Sequence, residues 1–388
     1  MIFLTGSTGY VGSYLVDTFR RTSDEHLLLF VRASSAEHAE QRLWKALQLH
    51  MDFETFLAFV RSRVSIVLGD LTGHNLGFDD PTWAWASEHT TSILHCAASL
   101  NRKSAKACLN VNLRGTLSVV RLGRDAHTHH GLRRFTDVST VAVSGTRRDE
   151  VVREDDAIDW DRSDYDPYGR TKKFCEHMLD ELLPDVSRVV VRPATVLGDS
   201  RFAETTQFDM VRAFVILAQF PALPFDPAWK MDIVNVDYVA RGAASLHLCD
   251  APAHGVYHLS SGEDSLSYAE ILDAMQASGF PRRPRTMPWM EKPFTRIVDR
   301  LSWTNKKYGV ALPASLLKVF LPYLTYNTVF DNQRIVEHLG DKPAPFSDYC
   351  YGLFRFARDG DFTYPYKPWP EGVAPRPAGL DAPNAEAR

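Results

Sequence analysis

The first half of the chain alternates short, uninterrupted apolar runs with stretches in which apolar residues recur every three or four positions. The runs Ile2-Phe3-Leu4, Leu27 to Val31, Val64 to Leu68, Ile93 to Cys96, Phe135 to Ser139 and Val189 to Pro193 read as six buried strands. Between them, Val11, Leu15 and Phe19, then Leu43, Trp44 and Leu47, then Phe56, Phe59 and Val60, and then Leu109, Leu113, Leu117 and Val120 keep helical spacing. Strand and helix in this alternation predict an α/β fold, a doubly wound parallel sheet over residues 1–198. Beyond Gly198 the alternation decays. Prolines at 221, 224 and 227, strands at Met231 to Val236 and Val256 to Ser260, a helix from Asp237 to Leu248 and a capping-box start at Ser267-Tyr268-Ala269-Glu270 predict a smaller C-terminal lobe over residues 199–365, with the return of some later segments to the first domain left open. Residues 366–388, rich in Pro, Ala and Gly, are expected to be disordered.

Composition narrows the function without choosing it. The 388 residues are 45% hydrophobic and 24% charged, ordinary for a globular chain, and a net charge of −4 gives no electrostatic case for nucleic acid. Five scattered cysteines include no Cys-x-x-Cys pair, so neither a disulfide framework nor a zinc site is indicated. His127, His129 and His130 lack acidic or cysteine partners nearby and read as a solvated helix end, not a metal site. The first strand begins at once, with no room for a signal peptide before it, which makes a reducing, cytoplasmic location the expectation. Leu316, Leu317, Val319, Phe320, Leu321 and Leu324 form an apolar cluster near Lys306, Lys307 and Lys318. It suits a packed helix, a lid over a substrate tunnel, or a peripheral contact with lipid.

The chemistry enters at Thr5-Gly6-Ser7-Thr8-Gly9-Tyr10-Val11-Gly12, between the first strand and the first helix. A turn that presents backbone N–H groups and a helix N-terminus to a pyrophosphate must lack side chains at its close approaches, and Gly6, Gly9 and Gly12 meet that need. Arg32 ends the second strand, where an acidic residue suits a ribose 2′-hydroxyl and an arginine a 2′-phosphate. With Arg42 it points to NADP(H). Tyr168 and Lys172 stand at i and i+4 after Pro167, so both face the same way on a helix, and an ammonium beside a phenol favours the phenolate. Thr140 follows the fifth strand and is preferred over Ser139 as the hydroxyl that holds a substrate oxygen.

These motifs, with Gly69-Asp70-Leu71, Cys96-Ala97-Ala98-Ser99, Asn112-Leu113-Arg114-Gly115-Thr116 and Arg192-Pro193, resemble the extended short-chain dehydrogenases/reductases over about residues 1–275. Val31-Arg32-Ala33-Ser34, the insertion carrying Gln41-Arg42-Leu43, Thr140 and Asn235-Val236-Asp237-Tyr238-Val239-Ala240 look closest to the thioester reductase and fatty acyl-CoA reductase branch. The resemblance implies a Rossmann-type NADP-binding domain. Tyr168 would be the proton donor, Lys172 its pKa-lowering partner and the residue that holds the nicotinamide ribose, Thr140 the carbonyl-orienting hydroxyl and Asn112 a support of the proton relay. Gly6, Ser7, Thr8, Gly9, Tyr10, Val11, Gly12, Arg32, Arg42, Asp70, Leu71, Ala97, Ala98, Ser99 and Pro193 would line the cofactor. Cys96 departs from the family, standing where relatives often have asparagine. The implied activity is NADPH-dependent reduction of a fatty acyl thioester to aldehyde, with further reduction to alcohol left open, the acyl group arriving on CoA or on a separate carrier protein; a homodimer is one assembly it allows. An alcohol or sterol-type dehydrogenase, a nucleotide-sugar epimerase or dehydratase, and a non-catalytic NADP sensor are the alternatives.

Overall fold

The structure, a computed structural model, describes residues 1–156, 158–302 and 311–375. Among these residues, seven parallel strands form the central sheet: β1 (Ile2–Thr5), β2 (Leu27–Val31), β3 (Val64–Leu68), β4 (Ser92–His95), β5 (Arg134–Val138), β6 (Arg188–Pro193) and β7 (Val256–Leu259). Their order is β7-β6-β5-β4-β1-β2-β3. Strand order reverses between β1 and β4, and a crevice opens at that point beyond the carboxyl ends of the strands.

The strands are apolar throughout because both faces are covered. Ile2 and Leu4 of β1 and Leu27, Leu29 and Val31 of β2 pack on one face with α1 (Tyr10–Thr22), α2 (Ala36–Leu47) and α3 (Phe53–Arg63). The alternate residues Phe3, Leu28 and Phe30 pack on the other with α4 (Asp80–His89), α5 (Gly115–His130) and α6 (Pro167–Leu182). One helix departs from its expected face. A π-helical turn, Leu109–Arg114, precedes α5, and its extra residue shifts the phase of what comes before. Leu109 and Leu117, expected inside, are 45% and 38% exposed, while Val120, also expected inside, is buried with Val119, Leu122 and Ala126.

The chain beyond Gly198 divides its work. α7 (Asp209–Gln219) enters the lobe, but α8 (Val236–Leu248) packs Tyr238, Val239 and Ala243 into the core that holds α1. The strand expected in the lobe at Val256 to Ser260 is β7, set parallel to β6 with Val256 opposite Val190. No local pattern states which sheet a strand will join, so this placement had to come from the fold.

The lobe has its own core, separate from the two sheet faces. It gathers Phe214 of α7 with residues of α9 (Tyr268–Ala277), α10 (Glu291–Ser302) and α11 (Ala311–Thr325). After α12 (Gln333–Leu339), whose Ile335 packs with the sheet, α13 (Phe346–Asp359) adds Leu353 and Phe354 to the lobe. Leu317, Leu321 and Leu324 of α11 are buried there, each contributing about 2 kcal/mol by leaving water. These three of the residues offered for lipid contact are therefore taken up by this core, and the side chains of Leu316 and Val319 lie outside the described part. Among the described residues, no helix is long and apolar enough to cross a membrane. Lys306 and Lys307 lie outside the described residues. Of the C-terminal segment, Trp369 sets its ring 4.9 Å from that of Phe53, and the Lys367 N–H donates to the Gln48 side chain at 2.6 Å. Residues 376–388 lie outside the described part.

Candidate active site

The turn after β1 is shaped by glycine at two points. Gly6 has φ +82°, and a Cβ on Gly12 would stand 1.9 Å from the Gly6 carbonyl oxygen, so the helix can start this close to the turn only without a side chain there. α1 begins after Gly9, which offers no side-chain cap, so its first N–H groups are left for a ligand. That terminus opens into a cavity of about 700 Å³.

Arg32, Arg42, Asp70 and Leu71 line the same cavity. Arg42 donates to the Arg32 carbonyl and, at 3.3 Å, to the Thr8 hydroxyl. Partial burial and the neighbouring Arg32 lower its pKa. Arg32 itself is 70% exposed, 4.0 Å from Asp70. Burial opposes ionisation of Asp70, but the N–H and hydroxyl of Thr72, at 2.8 and 2.7 Å, more than offset it and hold its pKa down. An uncapped helix terminus beside a glycine cradle, with guanidinium groups in the same cavity, fits the pyrophosphate of a dinucleotide.

A buried histidine braces the floor. Thr5 Oγ1 accepts the N–H groups of Cys96 and Ala97, both at 3.1 Å, which leaves its proton for His95 Nδ1 at 2.7 Å. His95 Nε2 then donates to Thr116 Oγ1 at 2.9 Å. Burial, with Lys172 nearby, keeps the ring neutral. The path of the chain past Ala97 and Ala98, both on the cavity wall, is therefore tied to β1. Burial pushes the Cys96 thiol up to about 12, which rules out a thiolate nucleophile near neutral pH.

At the other end of the cavity stand Thr140, Tyr168 and Pro193. α6 is started by Asp166, whose carboxylate accepts the Gly169 N–H at 2.9 Å, with Pro167 in the first turn. Ser139 donates its hydroxyl to Glu176, whereas Thr140 accepts only the Ala142 N–H at 3.3 Å and keeps a proton to give. Lys172 lies behind the wall, 1% exposed, donating to the Val138 carbonyl at 2.6 Å with Asp137 at 3.4 Å. One turn further along α6, Glu176 pairs with Arg192 at 2.6 Å. Two buried pairs of opposite polarity thus hold one helix face against β5 and β6.

The expected fall in the Tyr168 pKa is not what the fold produces. Burial raises it, and the pull of Lys172 and Arg102 recovers only part of the rise. Burial also works against the Lys172 ammonium, but Asp137 and Tyr168 outweigh it and hold that pKa up. Tyr168 is therefore a neutral phenol with a proton to give. Asn112, Ser7 and Ser99 stand outside the lining. Asn112 accepts the Ser99 N–H at 2.7 Å and donates to Thr171 at 3.1 Å, a strut between the loop after β4 and α6.

Phe320 of α11, one of the apolar cluster that suits a lid, lines the cavity opposite Tyr168. Arg102, Tyr165 and Tyr323 line it too and carry no signal in the sequence pattern; Tyr323 also belongs to α11, and Arg102 lies between Phe320, Tyr323 and Tyr168. Tyr165 stacks on Tyr323 at 4.9 Å. Asp137 looked like one more residue of a strand. A charged residue inside an apolar run was the one hint available for it.

Sheet order, glycine turn and the Tyr-x-x-x-Lys helix beside a hydroxyl define an extended short-chain dehydrogenase/reductase, an oxidoreductase with a nicotinamide cofactor. Within that class, the chain belongs to the family described as male sterility protein, whose sequence profile matches residues 4–243. It is 25% identical over 295 residues to one component of the linear gramicidin synthase of Brevibacillus parabrevis, covering 74% of this chain and 6% of that one. It is 25% identical over 305 residues to L-2-aminoadipate reductase of Schizosaccharomyces pombe, covering 72% of this chain and 20% of that one. The chain thus spans a small part of the length of these relatives. The terminal R domain from the myxalamid PKS-NRPS biosynthetic pathway has the same fold, with a TM-score of 0.79 at 22% identity over 93% of this chain and 91% of that one.

Proposed function

We propose that the chain uses NADPH to reduce the carbonyl of an acyl thioester, the acyl group being carried by CoA or by a carrier protein. One observation carries this reading. A single cavity joins the uncapped terminus of α1 to the hydroxyls of Thr140 and Tyr168 and continues along Val196, Met210 and Phe320 of the lobe side. The apolar stretch suits the hydrocarbon part of an acyl group, and a fatty acyl chain is its simplest occupant.

When bound, the cofactor supplies a hydride to the carbonyl carbon. Thr140 donates a hydrogen bond to the carbonyl oxygen and orients it. Tyr168, held neutral by burial, gives that oxygen its proton as negative charge develops there. Lys172 stabilises the tyrosinate that remains, from behind the wall. The product of this step is a hemithioacetal. Its C–S bond breaks, the hydroxyl proton passes to sulfur, and thiol and aldehyde leave; a second hydride and proton would give the alcohol. Arg32 and Arg42 hold the 2′-phosphate.

The test is NADPH absorbance with acyl-CoA and carrier-bound acyl substrates. Tyr168→Phe is expected to cut turnover by about a thousandfold while NADPH affinity stays within a few-fold. Arg32→Ala is expected to narrow the preference for NADPH over NADH about tenfold. Undiminished turnover in Tyr168→Phe, or no thioester reduced by the wild type, overturns the reading.

A further inference from the structure

We infer that Arg102 recognises a carboxylate carried on the acyl group of the substrate, a few bonds from the carbonyl to be reduced. This rests on the thioester-reducing reading of the same cavity and adds to it the class of acyl group that is preferred.

Three rings hold the guanidinium. It lies 5.3 Å from the centre of the Tyr168 ring, 5.6 Å from Phe320 and 4.8 Å from Tyr323. Contacts from α6 and α11 restrict its orientation, and a planar cation packed against aromatic faces loses little further freedom when it forms a hydrogen bond. Its side chain is only 19% exposed, yet it lines the cavity.

Asp166 is the carboxylate beside it, with Oδ2 3.7 Å from Nε. That group is already in use. Asp166 Oδ1 accepts the Gly169 N–H at 2.9 Å, and Oδ2 accepts the Tyr323 hydroxyl at 3.4 Å. On the other edge, Arg102 Nη1 is buried with no hydrogen-bond partner among the described residues. A buried cationic donor left unmet costs free energy, and a carboxylate, which pairs with a guanidinium edge through parallel hydrogen bonds, removes that cost. Lys103, in the same lining, adds charge of the same sign.

Two other anions come near this cavity. The phosphate of a pantetheine arm sits at the far end of that arm from the thioester, and the cofactor pyrophosphate belongs at the terminus of α1. Arg102 packs on the ring of Tyr168, so the anion it meets belongs near the reacting carbonyl.

The experiment compares glutaryl-CoA with pentanoyl-CoA, whose acyl chains match in length and differ by a terminal carboxylate against a methyl. The wild type is expected to favour glutaryl-CoA in kcat/KM. Arg102→Gln is expected to reduce that preference about a hundredfold, and Arg102→Lys to keep part of it. An equal fall for both substrates in Arg102→Gln, or a raised KM for NADPH alone, would assign Arg102 to packing or to the cofactor and overturn the inference. So would a wild type without preference for the acid. A calorimetric titration of the NADPH-loaded protein with glutarate separates this inference from the reading beneath it. If no thioester is turned over, saturable glutarate binding that is lost in Arg102→Gln still upholds the carboxylate site, and absence of binding overturns it.

Discussion

The cofactor end and the substrate end of the cavity are built by different means. At the cofactor end the working groups are largely backbone: the turn from Gly6 to Gly12, which follows β1 directly, and the open terminus of α1. At the substrate end they are side chains from distant segments: Arg102, Thr140, Tyr168 with Lys172 behind it, and Phe320 and Tyr323 of α11. A backbone site needs little more than glycines in the right places. A side-chain site needs every contributing element to be packed first, and its chemistry is then set by burial as much as by residue type. Tyr168 shows this: beside a lysine it reads as an acidified phenol, yet in the fold burial outweighs the lysine.

The contrast can be broken by substitutions at each end. The largest effect is expected from Gly12→Val, since its Cβ would stand 1.9 Å from a backbone oxygen that cannot move without opening the turn. NADPH affinity should fall by about a thousandfold in equilibrium titration, whereas glutarate binding near Arg102 should fall far less. Equal losses at both ends would show that they are not independent.

Asp137→Asn comes next. It leaves Lys172, 1% exposed, without its carboxylate, and unfolding in denaturant should register a loss of about 3 kcal/mol. Because Asp137 raises the pKa of both Tyr168 and Lys172, the alkaline limb of kcat/KM should move to lower pH. A stability loss with an unmoved pH profile would make Asp137 a packing residue only.

Taken per pH unit, the smallest effect concerns the pH dependence of stability. Burial, with Arg133 and Arg134 nearby, depresses His247 to about 3, and it bonds Ser92 and Thr136 as a neutral ring. The unfolded ring takes a proton near pH 6.5 and the folded ring does not. Its contribution is therefore intact above about pH 6.5 and lost as pH falls toward 3, at about 1.4 kcal/mol per pH unit. Asp232, raised to about 7 by burial, runs the other way: its contribution is whole below about pH 4 and lost as pH rises through 7. Chemical denaturation of wild type and His247→Gln across pH 4 to 7 isolates the histidine, because Asp232 is common to both. Parallel curves would refute it.

Much of this architecture was legible in the pattern of residues. The first six strands follow from apolar runs that are continuous because both faces of a parallel sheet are buried. The glycine turn could be read because Gly6 and Gly12 answer to steric needs that no other residue meets there. Two placements were hidden because the information was not local. Leu109 was misread because a π turn shifts the helix phase ahead of α5, and the strand at Val256 was grouped with the lobe because its sheet partner lies some sixty residues earlier in the chain.

What the residues determined alone is therefore what short-range sterics and periodicity control: a doubly wound sheet, a nucleotide-binding turn, and a tyrosine and lysine one helical turn apart. The tertiary structure decided the rest. It set the protonation state of Tyr168, tied Ser139 to Glu176 while leaving the Thr140 hydroxyl free to donate, and caged Arg102 between rings separated by more than 150 residues. These depend on desolvation and on contacts between distant segments, and neither exists until the chain has folded.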